Sequence, residues 1–192
     1  QGVELSEKLI VTDAAKLLAE VSPLRPIFVG LSIGGLFASR VWLSGTEAIG
    51  LVLINTLRRD SPRLKWISDA LVRAVEVGGL PLFRDLFLPL LMNEEWLEKN
   101  RPDFLLHDSE YIALETGSGH YKLLSECGCH ADWNISYEDL NLPTLVITGL
   151  QDHVFLERDV VETLFTRIPD GRRADMLDAG HLIPSEQPEA LA

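Results

Sequence analysis

This sequence predicts an α/β fold: a parallel sheet flanked by helices, interrupted by one long helical insertion. Three observations predict it. Apolar, β-branched runs at Ile27-Phe28-Val29, residues 50–54 (GLVLI) and Leu145-Val146-Ile147-Thr148 have the unbroken pattern of strands buried on both faces. Segments of helical period follow the first and third of these runs, which is the rhythm of strand-helix-strand units. Residues 56–141 contain no such run and consist of amphipathic segments rich in Leu, Trp and charge, so they read as an all-helical insertion.

Taken in order, residues 4–21 carry Leu9, Ile10, Ala14, Leu17 and Leu18 at spacings of three and four. That places one oily stripe on a helix, expected to pack against the sheet. The segment Ser22-Pro23-Leu24-Arg25-Pro26 ends it, because proline lacks a donor and disfavours helix in the residue before it. A strand at Ile27-Phe28-Val29 follows, then a glycine-rich turn, a helix over residues 36–43 and a second strand over residues 49–54. After Pro143 come the strand at residues 145–148, a helix over 160–167, a weaker strand over 173–177 and a final helix over 184–191. The organisation expected is a core of residues 1–55 and 142–192, with residues 56–141 as a helical insertion.

Composition narrows the function. With 46% hydrophobic and 24% charged residues, the 192-residue chain can bury one ample core. Lys and Arg total 17 against 29 Asp and Glu, a net charge of -12, so the field repels phosphate backbones and anionic lipid surfaces and no nucleic-acid partner is expected. The longest greasy stretch, residues 78–92, is broken by Pro81, Arg84, Asp85 and Pro89, short of the ~20 apolar residues of a membrane span. Cys127 and Cys129 are too close for an ordinary disulfide staple, which favours a reducing, cytoplasmic setting.

The chemistry lies in Gly30-Leu31-Ser32-Ile33-Gly34-Gly35, between a buried strand and a helix, which fits G-x-S-x-G in the context that gives the pattern meaning. A serine hydroxyl is a poor nucleophile, so it must stand clear of the sheet, near a base and near donors for a developing oxyanion. The turn that holds it there crowds the backbone, which explains glycine at positions 30 and 34. The Ile33 N–H, at the helix N-terminus, points toward the oxyanion. Asp152 follows the 145–148 strand and His181 follows the last strand, in the chain order Ser, Asp, His. Loops at the carboxyl edge of a parallel sheet converge, so the three can meet. Singly, Asp152 also reads as a helix cap and His181 as an ordinary loop histidine.

These segments resemble the α/β-hydrolase fold superfamily over nearly the whole chain. FVGLSIGG is similar to its nucleophile elbow, LVLIN to the next strand, LPTLVITGLQDHV to the acid strand and loop, and DAGHLIPSEQPEAL to the histidine loop and last helix. The resemblance implies Ser32 as nucleophile, Asp152 as acid and His181 as base, with residues 56–141 as the lid. It implies a serine hydrolase acting without cofactor or metal on a small, largely apolar ester, lactone or related acyl compound through an acyl-enzyme. An acyltransferase, a cofactor-free haloperoxidase-like enzyme or a non-catalytic binding protein of the same fold are the alternatives. Complete members carry further strands before the nucleophile strand, and a His-Gly loop with the second oxyanion donor. Residues 1–26 match none of these. The fold is therefore expected to be incomplete at its N-terminus, with the edge of the 27–29 strand open to self-association or to a missing N-terminal segment.

Other groupings carry less. Cys127-Gly128-Cys129-His130, with His120, lacks the ligand spacing of zinc sites and reads as a tight turn. Glu94-Glu95 and the Asp108, Glu110 pair read as solvated faces. Trp42 reads as core. Trp66, Phe83, Phe87, Trp96 and Phe104 either line an apolar pocket over Ser32 or pack the insertion on the sheet, and packing is favoured for most.

Overall fold

The structure, a computed structural model, describes residues 4–104 and 110–192. Four parallel strands form one sheet in the order β1 (Ile27–Leu31), β2 (Gly50–Ile54), β3 (Thr144–Gly149) and β4 (Gly171–Met176). Phe28 pairs with Leu51, Leu53 with Val146, and Ile147 with Ala174. Each strand lies within about two residues of its expected place. The parallel sheet and the helices beside it are those the sequence predicts.

Alternation along the strands divides the core in two. One face presents Phe28, Leu51, Leu53 and Val146 to a large cluster. It is completed by Leu36 and Val41 of α2 (Ile33–Leu43) and by Val160, Val161 and Leu164 of α6 (Arg158–Phe165). Trp133, Ile135, Tyr137 and Leu140, from the stretch before β3, are buried in the same cluster. The opposite face joins Ile54 and Ile147 to Ala179 and Ile183 at the carboxyl ends of the strands, beside α7 (Ile183–Glu186) and α8 (Pro188–Leu191).

On that face β1 has little cover from the described residues. Ile27 is 56% and Val29 63% exposed, so β1 is not buried on both faces as its unbroken apolar run suggests. The reason is its position: β1 is an edge strand, and the covering helices lie on the side of Phe28. Helix α1 (Glu7–Val21) is capped by Ser6, whose side chain accepts from Leu9 N, and it leans on α2 through Val11, Ala14 and Leu18. Leu17 of the expected stripe stays 60% exposed, because α1 packs chiefly on α2.

Between β2 and β3 the described residues are helical or irregular. Helix α3 (Pro62–Leu91) starts at Ser61, whose side chain caps Leu64 N, and is followed by α4 (Glu94–Asn100) and the short α5 (Gly119–Lys122). Gly79, with φ 66° and ψ −163°, bends α3 midway. That break puts Pro81 at the start of the second half, where a missing N–H costs nothing. No helix among the described residues is long and apolar enough to cross a membrane.

Candidate active site

Three strand ends build the site. At the first, β1 runs into α2 through Ser32, whose φ of 54° and ψ of −122° lie where L-residues are rarely found. Such a conformation costs about 1–3 kcal/mol and persists only where its surroundings impose it. Ser32 N donates to Ile54 O at 2.8 Å, and Thr56, fully buried, donates through Oγ1 to Ser32 O at 3.1 Å. A side chain at Gly30 would strike the backbone of Gly34 and Gly35, as the crowded turn requires. Gly34 departs from expectation, since a Cβ there meets nothing. Gly35 is the second obligatory glycine, because its Cβ would collide with Thr56. Ile33 opens α2, where a backbone N–H has no intrahelical acceptor.

At the second strand end, Asp152 is 4% exposed. Its Oδ1 accepts from Val154 N at 3.0 Å and Phe155 N at 2.9 Å, while Oδ2 lies 2.6 Å from His181 Nδ1. Asp152 thus caps its own loop with one oxygen and holds the histidine with the other. Burial alone would push this carboxyl up. The His181 contact and the two backbone donors outweigh burial and hold it below its ordinary value of 3.8.

The third strand end, the loop after β4, carries His181, 5% exposed. Its ring lies 4.9 Å from that of Phe155. The loop is fixed by Glu186, whose Oε2 accepts from Gly180 N at 2.8 Å and Asn93 N at 2.6 Å and whose Oε1 accepts from Leu182 N at 2.9 Å. His181 N donates to Leu91 O, the last residue of α3.

Two further side chains connect these ends, and sequence reasoning passed over both. Asn55, directly after β2 with φ 48°, donates through Nδ2 to Gly180 O at 3.0 Å and His181 O at 2.8 Å, and its Oδ1 accepts from Gly149 N at 2.8 Å. Its position at a strand's carboxyl end is the signal that could have found it. Arg58 is 6% exposed and donates from Nη2 to Asn55 O at 2.7 Å and to Ser32 Oγ at 3.1 Å. Its guanidinium carbon lies 4.5 Å from the Trp133 ring centroid and 4.4 Å from that of Phe155. Burial pushes Arg58 down to about 10, against the pull of Asp152 and Tyr137, so it remains cationic at neutral pH. The adjacent Arg59 is exposed, and nothing in the sequence separates the two.

The structure therefore joins Asp152 to His181 directly. It brings Ser32 into the same cluster through Arg58, which touches Phe155, which in turn touches His181. The hydrogen-bond partner of Ser32 Oγ among the described residues is Arg58, not His181. A hollow of about 540 Å³ lined by Arg59, Trp133, Tyr137 and Arg167 contains none of the three.

Elsewhere, Trp66 is 79% exposed, while Trp96 packs on Phe104 and Phe83 on Phe87 within the helical stretch. Cys127 and Cys129 are free thiols, and burial pushes Cys127 up to about 11. No three metal-ligating side chains converge among the described residues. Asp108 lies outside the described residues.

A serine in a strained strand-to-helix turn and a buried carboxylate-imidazole pair thus lie at the carboxyl ends of one parallel sheet. The profile of the alpha/beta hydrolase family matches residues 4–192. The chain belongs to the alpha/beta hydrolase family. A search of the curated proteins finds no match. Among solved structures, an alpha/beta hydrolase from a Medee basin deep-sea metagenome library superposes with a TM-score of 0.80 at 18% identity, covering 100% of this chain and 70% of that one. A thermophilic esterase from Thermogutta terrifontis, solved with malate bound, gives 0.70 at 24% identity, covering 100% and 71%. The enol-lactonase of Burkholderia xenovorans gives 0.73 at 20% identity, covering 100% and 72%. At these identities the likeness is one of fold.

Proposed function

We propose that this alpha/beta hydrolase cleaves a small, largely apolar ester, lactone or related acyl compound through an acyl-enzyme, with Ser32 as nucleophile, His181 as base and Asp152 as the group that orients it. The observation that carries this reading is the 2.6 Å contact between His181 Nδ1 and Asp152 Oδ2, at the sheet end where Ser32 occupies its strained turn. With Nδ1–H committed to the carboxylate, Nε2 is the free, basic nitrogen. The Ser32 hydroxyl turns from Arg58 toward that nitrogen as substrate enters. Catalytic hydrogen bonds commonly tighten only in the substrate complex.

The chemistry then runs in two halves. Oγ attacks the carbonyl carbon while its proton passes to Nε2, and the Ile33 N–H stabilises the oxyanion. The imidazolium, steadied by Asp152, returns the proton to the leaving alkoxide, giving the alcohol and the acylated Ser32. A water molecule, deprotonated by His181, repeats the attack and releases the acid with Ser32 restored. Residues 56–141 act as a cap whose side chains select the acyl compound, in a reducing, cytoplasmic setting that suits the two free thiols.

The test is labelling of the intact protein with a fluorophosphonate, followed by peptide mapping. The expected adduct is on Ser32, and it is abolished in Ser32→Ala. Labelling at another residue, or none under conditions where the protein is folded, removes the mechanism.

A further inference from the structure

Arg58 is a buried cation that the hydrolytic mechanism leaves without a task. A guanidinium is rarely buried without a carboxylate partner, since an uncompensated buried charge is costly. Arg58 is 6% exposed, yet among the described residues it forms no ion pair. The nearest acidic influence on it is Asp152, whose two oxygens are already taken by His181 and by the Val154 and Phe155 N–H groups.

Its own bonding is lopsided. Both hydrogen bonds leave from Nη2, one to the Asn55 carbonyl and one to Ser32 Oγ. Nε and Nη1 have no hydrogen-bond partner among the described residues. The Trp133 and Phe155 rings hold the cation in place without consuming a donor. The result is a fixed cation with spare planar donors, 3.1 Å from the candidate nucleophile, in a protein whose net charge of -12 otherwise repels anions.

We propose that Arg58 binds a carboxylate carried by the substrate's acyl part, so that the compound hydrolysed at Ser32 is a half-ester or lactone of a dicarboxylic acid, apolar apart from that one group. This rests on the hydrolase reading above and names its substrate class. When the Ser32 hydroxyl turns to His181 it releases one Nη2 N–H, and that donor with its neighbour on Nη1 or Nε makes a fork that matches the plane of a carboxylate with two parallel N–H···O bonds. Contact with Ser32 Oγ puts the bound carboxylate only a short carbon chain away from the carbonyl under attack. Arg58 is in this role a specificity-determining residue, and the proton transfers remain those of His181.

The comparison that tests it uses p-nitrophenyl hydrogen glutarate against p-nitrophenyl pentanoate, which lacks the carboxylate. For the unaltered protein, kcat/KM is expected to favour the glutarate by on the order of 10–100-fold, the range of one charge-assisted contact. In Arg58→Gln that ratio falls to near one, and in Arg58→Lys it is partly restored. Because both esters are read on the same preparation, a loss of folded protein cancels from the ratio. A ratio near one in the unaltered protein, or one that survives Arg58→Gln, overturns the assignment.

A second measurement separates this inference from the hydrolase reading. Glutarate binding to Ser32→Ala, followed by calorimetry, needs no turnover and is expected to vanish in Ser32→Ala/Arg58→Gln. If fluorophosphonate labelling fails while glutarate binding still depends on Arg58, the carboxylate site stands and the mechanism falls. If Ser32 is labelled and both esters turn over equally, the mechanism stands and the carboxylate site falls.

Discussion

Asn55 Nδ2 donates to the His181 carbonyl at 2.8 Å across 126 positions of sequence, tying the end of β2 to the loop that carries the imidazole. The same amide donates to Gly180 O, and its Oδ1 accepts from Gly149 N, so one side chain binds three strand ends together. Neither ring nitrogen of His181 is involved. Asn55 thus fixes the backbone of the loop and leaves the imidazole to Asp152.

Asn55→Gly removes this clamp while tolerating the positive φ of that position. Stability is expected to fall by about 2 kcal/mol, since buried backbone groups lose partners. On a p-nitrophenyl ester, kcat should drop well beyond any change in KM, as His181 loses its register with Ser32. Urea unfolding and steady-state kinetics measure both. A variant whose kcat matches the parent would reduce Asn55 to a structural role.

Asp152→Asn leaves the loop cap but offers Nδ1 of His181 the wrong partner, so kcat should fall by about 10⁴. The substitution also alters stability in acid. The Asp152 carboxyl is held below its ordinary value of 3.8, so its stabilising contribution is present above that value and is lost as pH falls through the lowered one. The Asn variant lacks that contribution throughout. Its urea midpoint should therefore decline less steeply than the parent's on going into strong acid.

Glu186→Gln keeps the shape of a carboxylate that accepts three backbone N–H groups, but turns an –NH2 toward at least one of them. The expected loss is about 2 kcal/mol, with faster hydrogen exchange at Gly180 and Leu182. Exchange as slow as in the parent would mean the loop is held by other contacts.

The two glycines after Ser32 should separate cleanly. Gly35→Ala drives a methyl group into buried Thr56, whose hydroxyl is hydrogen-bonded to Ser32 O and Ile54 O, and should cost about 1–3 kcal/mol. Gly34→Ala enters open space on a helix and should be neutral or stabilising by up to about 1 kcal/mol. Thermal unfolding of the pair decides the matter, and equal losses would mean that both positions are crowded.

Much of the architecture was legible in the residues because it is written locally. Unbroken apolar runs mark β2 and β3, helical period marks α2 and α6, and G-x-S-x-G falls between a strand and a helix as its chemistry needs. Chain order and the carboxyl edge of the sheet pointed to Asp152 and His181, which lie 2.6 Å apart. What only the tertiary structure decided depends on contacts between distant positions. Which of Arg58 and Arg59 turns inward is settled by Trp133 and Phe155, and which glycine is indispensable is settled by Thr56. The exposure of Val29 follows from its side of an edge strand. Periodicity reports how each segment meets water or core along its own axis. It is silent about which far-off group fills the space beyond a side chain, and the pairing of Asn55 and Glu186 with the His181 loop is information of that second kind.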